Sequence, residues 1–329
     1  MRRAVIALGT GLSLAASALT ATPAQATGVW IEPLAPMPAE AQAVARFWLG
    51  DGGANLAAAT PYTVRSAVGA ERAAAEIVPD GKPGTVPATE ALDPPKGKTP
   101  TTTGKVYFLG SDLRPHWCAG TSLQANYRNL VATAGHCLLD VEAPMGSLGK
   151  WVFVPDQADD TAPLGVYVGK QASVPAAYES SRTPALDFAF VTVFDRVSLA
   201  PGDVLVSGGR LGDNAGSQGF AWNQPLGERR DVFDHSGGRA DGSTFTVSRP
   251  GRPEERMVGI GTPDAGFPGS SWLARYSPGS RLGHLDGVTS GVADLDGDGI
   301  PDTAVAAYFG AAAVEAYQAA RNTASGRMI

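Results

Sequence analysis

The chain has 329 residues, 32 acidic against 26 basic side chains, and a formal net charge of −6. With no basic stripe to neutralise phosphates, that balance excludes a nucleic-acid partner held by the usual electrostatic footprint. Beyond the N-terminus, no stretch reaches the roughly 18 apolar residues that a membrane span requires.

Met1-Arg2-Arg3 precedes an apolar run from Ala4 to Ala18, and Ala24-Gln25-Ala26 follows. A positive start, a short apolar core and an A-x-A site are the pattern of a secretory signal peptide, assigned to residues 1–26. The mature chain is therefore expected outside the cell and off the membrane. The twin arginine leaves the export route, Sec or twin-arginine, open. Residues 27–104 read as an N-terminal extension or pro-segment. Within it, Ala39 to Leu49 has good helix formers with apolar residues at helical spacing, and Gly50, Gly52 and Gly53 would stop it. A second short helix is predicted over Ser66–Ile77. From Val78 to Gly104, Pro, Gly, Thr and Lys dominate without a period, which reads as a linker.

From Lys105 onward the pattern changes to short apolar runs between turn signals. Strands are predicted over Val106–Leu109, Leu130–Thr133, Trp151–Val154, Phe188–Phe194, Asp203–Ser207, Gly219–Trp222 and Ser243–Ser248. Such close spacing indicates an all-β barrel or sandwich for residues 105–329. Near the end, Tyr308–Arg321 reads as an amphipathic helix. No internal sequence repeat is visible.

The only two cysteines bracket Cys118-Ala-Gly-Thr-Ser-Leu and Val131-Ala-Thr-Ala-Gly-His136-Cys137. This stretch resembles the first barrel of the trypsin/chymotrypsin family of serine proteases, in its secreted bacterial form. The resemblance implies an all-β, two-barrel chymotrypsin-like fold with a C-terminal helix, preceded here by a partly helical extension. It also implies that Cys118 and Cys137 are a disulfide, which suits an oxidising compartment. Closing a loop of that length is worth ~3 kcal/mol in the chain-entropy view. His136 then takes the general-base position. Asp187, in Ala185-Leu-Asp-Phe-Ala-Phe-Val191, takes the position of the orienting acid, since a carboxylate entering an apolar strand is costly unless paired. Trp151-Val-Phe-Val-Pro155 and Pro163-Leu-Gly165 extend the likeness. Asp286-Gly-Val-Thr-Ser-Gly291 resembles the strand lining the specificity pocket.

The third member of a triad is where the sequence departs from the family. Its G-x-S-G-G-P stretch, often followed by W-L, corresponds to Gly266-Phe267-Pro268-Gly269-Ser270-Ser271-Trp272-Leu273. An ungapped alignment puts Pro268 at the nucleophile. Proline offers neither a hydroxyl nor an N–H, so the nucleophile and one oxyanion donor would vanish together. Taking Ser270 as nucleophile would leave Pro268 at the other oxyanion donor. Taking Ser271 gives a G-x-S arrangement through Gly269, at the expense of a three-residue shift and a bulky Trp272 beside the substrate. A second family disulfide is also missing, because the partner positions hold His235 and Gly261 or Thr262. His116, His235 and His284 have no metal-ligand spacing and are expected at the surface.

Asp294-Leu-Asp296-Gly-Asp298-Gly299-Ile300-Pro-Asp302 reads D-x-D-x-D-G-x-x-D. Alternate carboxylates in a tight loop converge on one hard cation, with Gly299 for the turn and the Ile300 carbonyl as backbone ligand. The loop resembles the calcium loops of EF-hands, dockerins and FG-GAP repeats, the last most closely, since Val305 stands at the closing-Glu position. Structural Ca2+ is expected; no organic cofactor is.

The sequence thus leads to a monomeric, secreted serine-protease homologue that keeps His136 and Asp187, binds a peptide or protein, and has lost its nucleophile. The alternatives are an active serine endopeptidase using Ser271 or Ser270, and a calcium-stabilised extracellular binding module for which the barrel is only a scaffold.

Overall fold

The computed structural model describes residues 28–63, 67–93, 100–140, 146–156, 164–262 and 266–329. The signal-peptide assignment, residues 1–26, lies outside them.

Twelve strands form two closed rings. The first comprises β1 (Thr103–Leu109), β2 (Pro115–Leu123), β3 (Leu130–Thr133), β4 (Gly149–Pro155), β5 (Tyr167–Pro175) and β6 (Ala189–Val193). They pair in the order β1-β2-β3-β6-β5-β4, and β4 closes back on β1. The second comprises β7 (Arg229–Phe233), β8 (Arg239–Arg249), β9 (Arg252–Gly261), β10 (Ser271–Ser277), β11 (Leu282–Ala293) and β12 (Thr303–Ala306). Its order is β7-β8-β9-β12-β11-β10, closed by β10 on β7. The two rings share one topology, although the sequence shows no repeat. Ring pairings are antiparallel throughout, and closure leaves few free edges.

Alternation along the first-ring strands sorts side chains between two cores. Val106 and Phe108 of β1 and Trp151 and Phe153 of β4 point into the barrel. Their neighbours Tyr107, Val152 and Val154 point outward, into a second cluster with Trp48. That outer face is covered by helix α1, Pro38–Leu49, which buries Ala41, Val44, Ala45 and Trp48. Both faces being buried, these strands read as continuous apolar runs. Pro38 opens α1, and Glu40 reaches back to accept the Met37 N–H at 3.1 Å. Gly50 ends it, since a Cβ there would lie 2.7 Å from the Arg46 carbonyl oxygen. The predicted helix over 39–49 is thus present, one residue longer. The C-terminal helix α2 runs from Ala311 to Arg321, shorter than predicted, with the Tyr317 ring stacked on Phe220 at 4.0 Å.

The second predicted helix is not formed. Within 67–77 the chain makes an isolated bridge from Ala67 to Val292 and a short strand Glu71–Arg72 on β8. The alanines that suggested a helix are overruled by strand pairing to the second ring. The linker reading of 78–104 also fails in part: Gly84–Val86 pairs with Gly219–Trp222, and β1 starts at Thr103. A strand at Val29–Pro33 pairs with β5, and Thr60–Pro61 with β2. The extension is therefore threaded along both rings. The predicted strand at Asp203–Ser207 forms over Val204–Ser207, in a separate hairpin with Val197–Ala200.

Candidate active site

The seam between the rings collects the residues singled out in the sequence. β3 ends at Thr133, and Gly135–Cys137 makes a single 3-10 turn that projects His136. The disulfide Cys118–Cys137 pins that turn to β2. Asp187 sits just before β6, the strand that pairs with β3, so the two ladder neighbours deliver Asp187 and His136 side by side.

Asp187 meets His136 twice: one carboxylate oxygen accepts the backbone N–H at 2.8 Å, the other contacts ring Nδ1 at 2.7 Å. Both residues are buried, His136 to 2% exposure and Asp187 to 4%. Burial alone would disfavour the Asp187 charge. The charge and hydrogen bonds of His136, with a further hydrogen bond from Tyr178, outweigh it and hold the carboxyl below its ordinary range. Tyr178 was not foreseen from the sequence. Gly135 makes room for it, since a Cβ there would lie 2.5 Å from the Tyr178 ring and 3.1 Å from the carboxylate. From the second ring, the Ser290 hydroxyl approaches the Asp187 carbonyl at 3.5 Å. Asp187 thus fixes the imidazole through Nδ1 and leaves Nε2 to face the seam. Among the described residues that buried Nε2 has no hydrogen-bond partner.

The loop facing it begins at Gly266. Phe267-Pro268-Gly269-Ser270 closes with a Ser270 N–H to Phe267 carbonyl bond of 2.9 Å, and Gly269 has φ +85°. Proline then glycine at the two central positions, the second with positive φ, is the signature of a type II turn. The turn is held on all sides. The Pro268 carbonyl accepts Ala119 N–H at 2.8 Å, Gly269 N–H donates to Thr289 at 2.8 Å, and Ser270 Oγ accepts Phe267 N–H at 3.0 Å. A side chain at 269 would sit 2.0 Å from the Ala119 carbonyl oxygen.

Ser270 is fully enclosed in this turn. Ser271 begins β10, opposite Val288 and Phe233, at 1% exposure, and its hydroxyl has no partner among the described residues. Neither hydroxyl is hydrogen-bonded to His136 Nε2.

The two cysteines of the chain pair with one another, so no disulfide ties this loop to the segment bearing His235. Aromatic packing holds it instead: the rings of His235, Phe267 and Trp117 meet at 4.4 to 5.2 Å between centroids. His235 is accordingly not a surface histidine, and burial pushes its pKa down to about 4. His116 is half-buried too, between Asp112 and Thr60.

Away from the seam, the carboxylates of Asp294, Asp296 and Asp302 come within 4.8 Å of one another. Asp298 stands apart from that group, and its carboxylate accepts the Ile300 N–H at 2.8 Å. Asp294 accepts the Gly297 and Gly299 amides at 2.8 Å each.

Two six-stranded rings of one topology, with a His–Asp pair at their seam, define the chymotrypsin-like fold of serine proteases. Comparison with solved structures gives the particulars. The chain is similar to the protease Anisep from Arthrobacter nicotinovorans, with a TM-score of 0.56 and 22% identity over 72% of this chain and 100% of that one. It is similar to the thermostable serine protease AL20 from an extremophilic microorganism, with a TM-score of 0.54 and 19% identity over 68% and 99%. No family model matches the chain, and no curated protein matches it. Among the described residues, no helix is long and apolar enough to cross a membrane.

Proposed function

We propose that this chain is a secreted serine-protease homologue that keeps the base and its orienting acid but not the nucleophile, and that it binds extended peptides without cutting them. The observation that carries this reading is the placement of Pro268. Its carbonyl is bonded to Ala119, the residue after Cys118, and the disulfide of Cys118 holds the turn that bears His136. The ungapped alignment puts the nucleophile at that same position. Proline there supplies no hydroxyl and no N–H for an oxyanion.

The competing reading, an active endopeptidase, draws on the buried hydroxyl of Ser271 and on His136 Nε2, both without partners. It requires Ser271 to leave the ladder positions it holds between Val288 and Phe233. Fluorophosphonate labelling of the secreted protein, read by peptide mapping, separates the two. No adduct on the wild type and an adduct on Pro268→Ser support the nucleophile-less reading. An adduct on Ser271 or Ser270 of the wild type overturns it.

We also propose that the loop 294–302 takes Ca2+. The convergence of Asp294, Asp296 and Asp302 supports three carboxylate ligands, suited to a hard cation. Asp298 and the Ile300 carbonyl complete the set suggested by the motif. A bound ion would offset the mutual repulsion of these acids and fasten β11 to β12, a structural role.

A further inference from the structure

The cavity that touches His136 and Asp187 holds about 460 Å³, and its walls come from both rings. The first ring contributes Tyr178 and Arg182 beside the pair, and the second contributes Arg249 and Arg252. Asp187 is the one carboxylate among the described residues that line it, and His136 already engages that charge. Three arginines therefore border a space whose described walls offer no second carboxylate, in a chain of net negative charge.

The arginines are held in position. β8 ends at Arg249 and β9 begins at Arg252, so both stand at the tip of one hairpin, where Gly251 turns the chain at φ +73°. Glu255 of β9 takes a bond from each. Arg252 Nη1 donates to one carboxylate oxygen at 2.7 Å, and Arg249 Nη1 to the other at 3.4 Å. The Thr183 hydroxyl, from the first ring, donates to that second oxygen at 2.8 Å and ties the hairpin tip across the seam. Burial alone would raise the Glu255 carboxyl, but the bonds from Arg252, Thr183 and Arg249 hold it below its ordinary range. Arg182 closes the short helix Ala176–Ser181 at φ +52°, and its guanidinium donates to the Tyr178 carbonyl at 3.3 Å.

A guanidinium carries five N–H donors. Among the described residues, the side chains of Arg249 and Arg252 make one bond each, both to Glu255. One carboxylate is thus shared between two arginines that are 43% and 56% exposed. A second carboxylate would meet the planar donor forks that suit it best.

We propose that this cavity is a carboxylate-recognition pocket: the peptide taken at the seam carries an acidic side chain held by Arg249 and Arg252, with Arg182 adding to the field. This rests on the reading of the seam as a peptide site, and it holds with or without a nucleophile. A basic peptide would meet three like charges, so the residues that attract one class repel the other. Because the two hairpin arginines reach solvent, their pull is screened by salt.

The test uses the full secreted chain and fluorescence anisotropy of labelled, end-blocked octapeptides of alternating Ala-Glu or Ala-Gln. At low salt the Ala-Glu peptide is expected to bind at least tenfold more tightly. That advantage should shrink as salt rises from about 50 mM to about 500 mM. Equal binding of the two would overturn the acidic preference and leave the seam reading standing; binding of neither would sink both. An Ala-Gln peptide with a free C-terminus that matches Ala-Glu would give the pocket to a chain terminus and overturn the side-chain assignment. Arg249→Gln with Arg252→Gln, at exposed positions, should bring Ala-Glu down to the affinity of Ala-Gln and leave Ala-Gln unchanged. An equal loss for both peptides would mean that the arginines support the fold and not the ligand. Glu255→Gln removes the competing carboxylate and is expected to tighten Ala-Glu binding at least threefold, a gain that a misfolded variant would not give. Unchanged or weaker binding by a folded Glu255→Gln would overturn the pocket; where a variant does not fold, the two peptides on the wild type decide.

Discussion

The Pro268 carbonyl accepts the amide proton of Ala119 at 2.8 Å, so a turn of the second ring is fastened to the residue beside the cysteine that anchors His136. Gly269 is what permits so close an approach. Its φ is +85°, and a Cβ would meet the Ala119 carbonyl oxygen at 2.0 Å. Gly269→Ala is expected to destabilise the protein by ~2–4 kcal/mol, from left-handed strain and a backbone collision together. Urea denaturation at neutral pH measures it; a midpoint within error of the wild type would mean that the turn is not tied down in this way.

Burial depresses the pKa of His235 to about 4, from an ordinary 6.5. Between those values the unfolded chain takes up a proton that the folded one refuses. Stability therefore falls as pH drops from ~6.5 to ~4, and the slope vanishes below the folded value. His235→Phe keeps the ring against Trp117 and Phe267 but cannot titrate. Thermal melts across that range should show a shallower acid slope for the variant; identical slopes would place the proton uptake elsewhere.

Arg230 and Asp286 form a buried ion pair, Nε to Oδ2 at 2.5 Å, with Arg230 2% and Asp286 8% exposed. Removing Asp286 leaves the buried Arg230 guanidinium with only the half-exposed Glu228 carboxylate, at 3.5 Å. Asp286→Ala alone should cost ~3–5 kcal/mol, and Arg230→Met with Asp286→Leu should recover most of that loss. A double-mutant cycle by urea denaturation reads the coupling. Additive losses would show that the two charges do not depend on one another.

Chelation is expected to lower the melting temperature. At a hundredfold excess of Ca2+ over its Kd, binding contributes ~2.7 kcal/mol. For a domain of about this size each kcal/mol moves the melt by roughly 2–4 °C. Scanning calorimetry with excess chelator, then with added Ca2+, checks the shift. Asp294→Ala should abolish it, and an unchanged wild-type melt would remove the site.

The first ring was readable because its chemistry is local. T-A-G-H-C carries His136 and Cys137 in one turn, and the apolar runs around Val106, Leu130 and Trp151 declare strands. The second ring was harder to see. β9 opens with Arg252-Pro-Glu-Glu-Arg256, and its charges mask the alternation that resumes at Met257. β7 begins with two arginines, one of them buried in the pair with Asp286. Their partners lie far along the chain, so no short window contains the reason for them. Tyr178 and Tyr62 share that difficulty. Each matters through residues far along the chain, Asp187 in one case and His136 among others in the other. His235 was misjudged because no property of D-H-S-G-G announces two aromatic neighbours.

The contact of Val68 with Val292 also carries a kinetic consequence. Tyr62 and Val68 emerge from the ribosome before either ring exists, and the carbonyl that Val68 needs belongs to one of the last strands to be made. Closing that contact joins points on the order of two hundred residues apart, among the slowest kinds of encounter in folding. Both rings can therefore close before the Val68 amide finds the Val292 carbonyl, and that contact comes among the last.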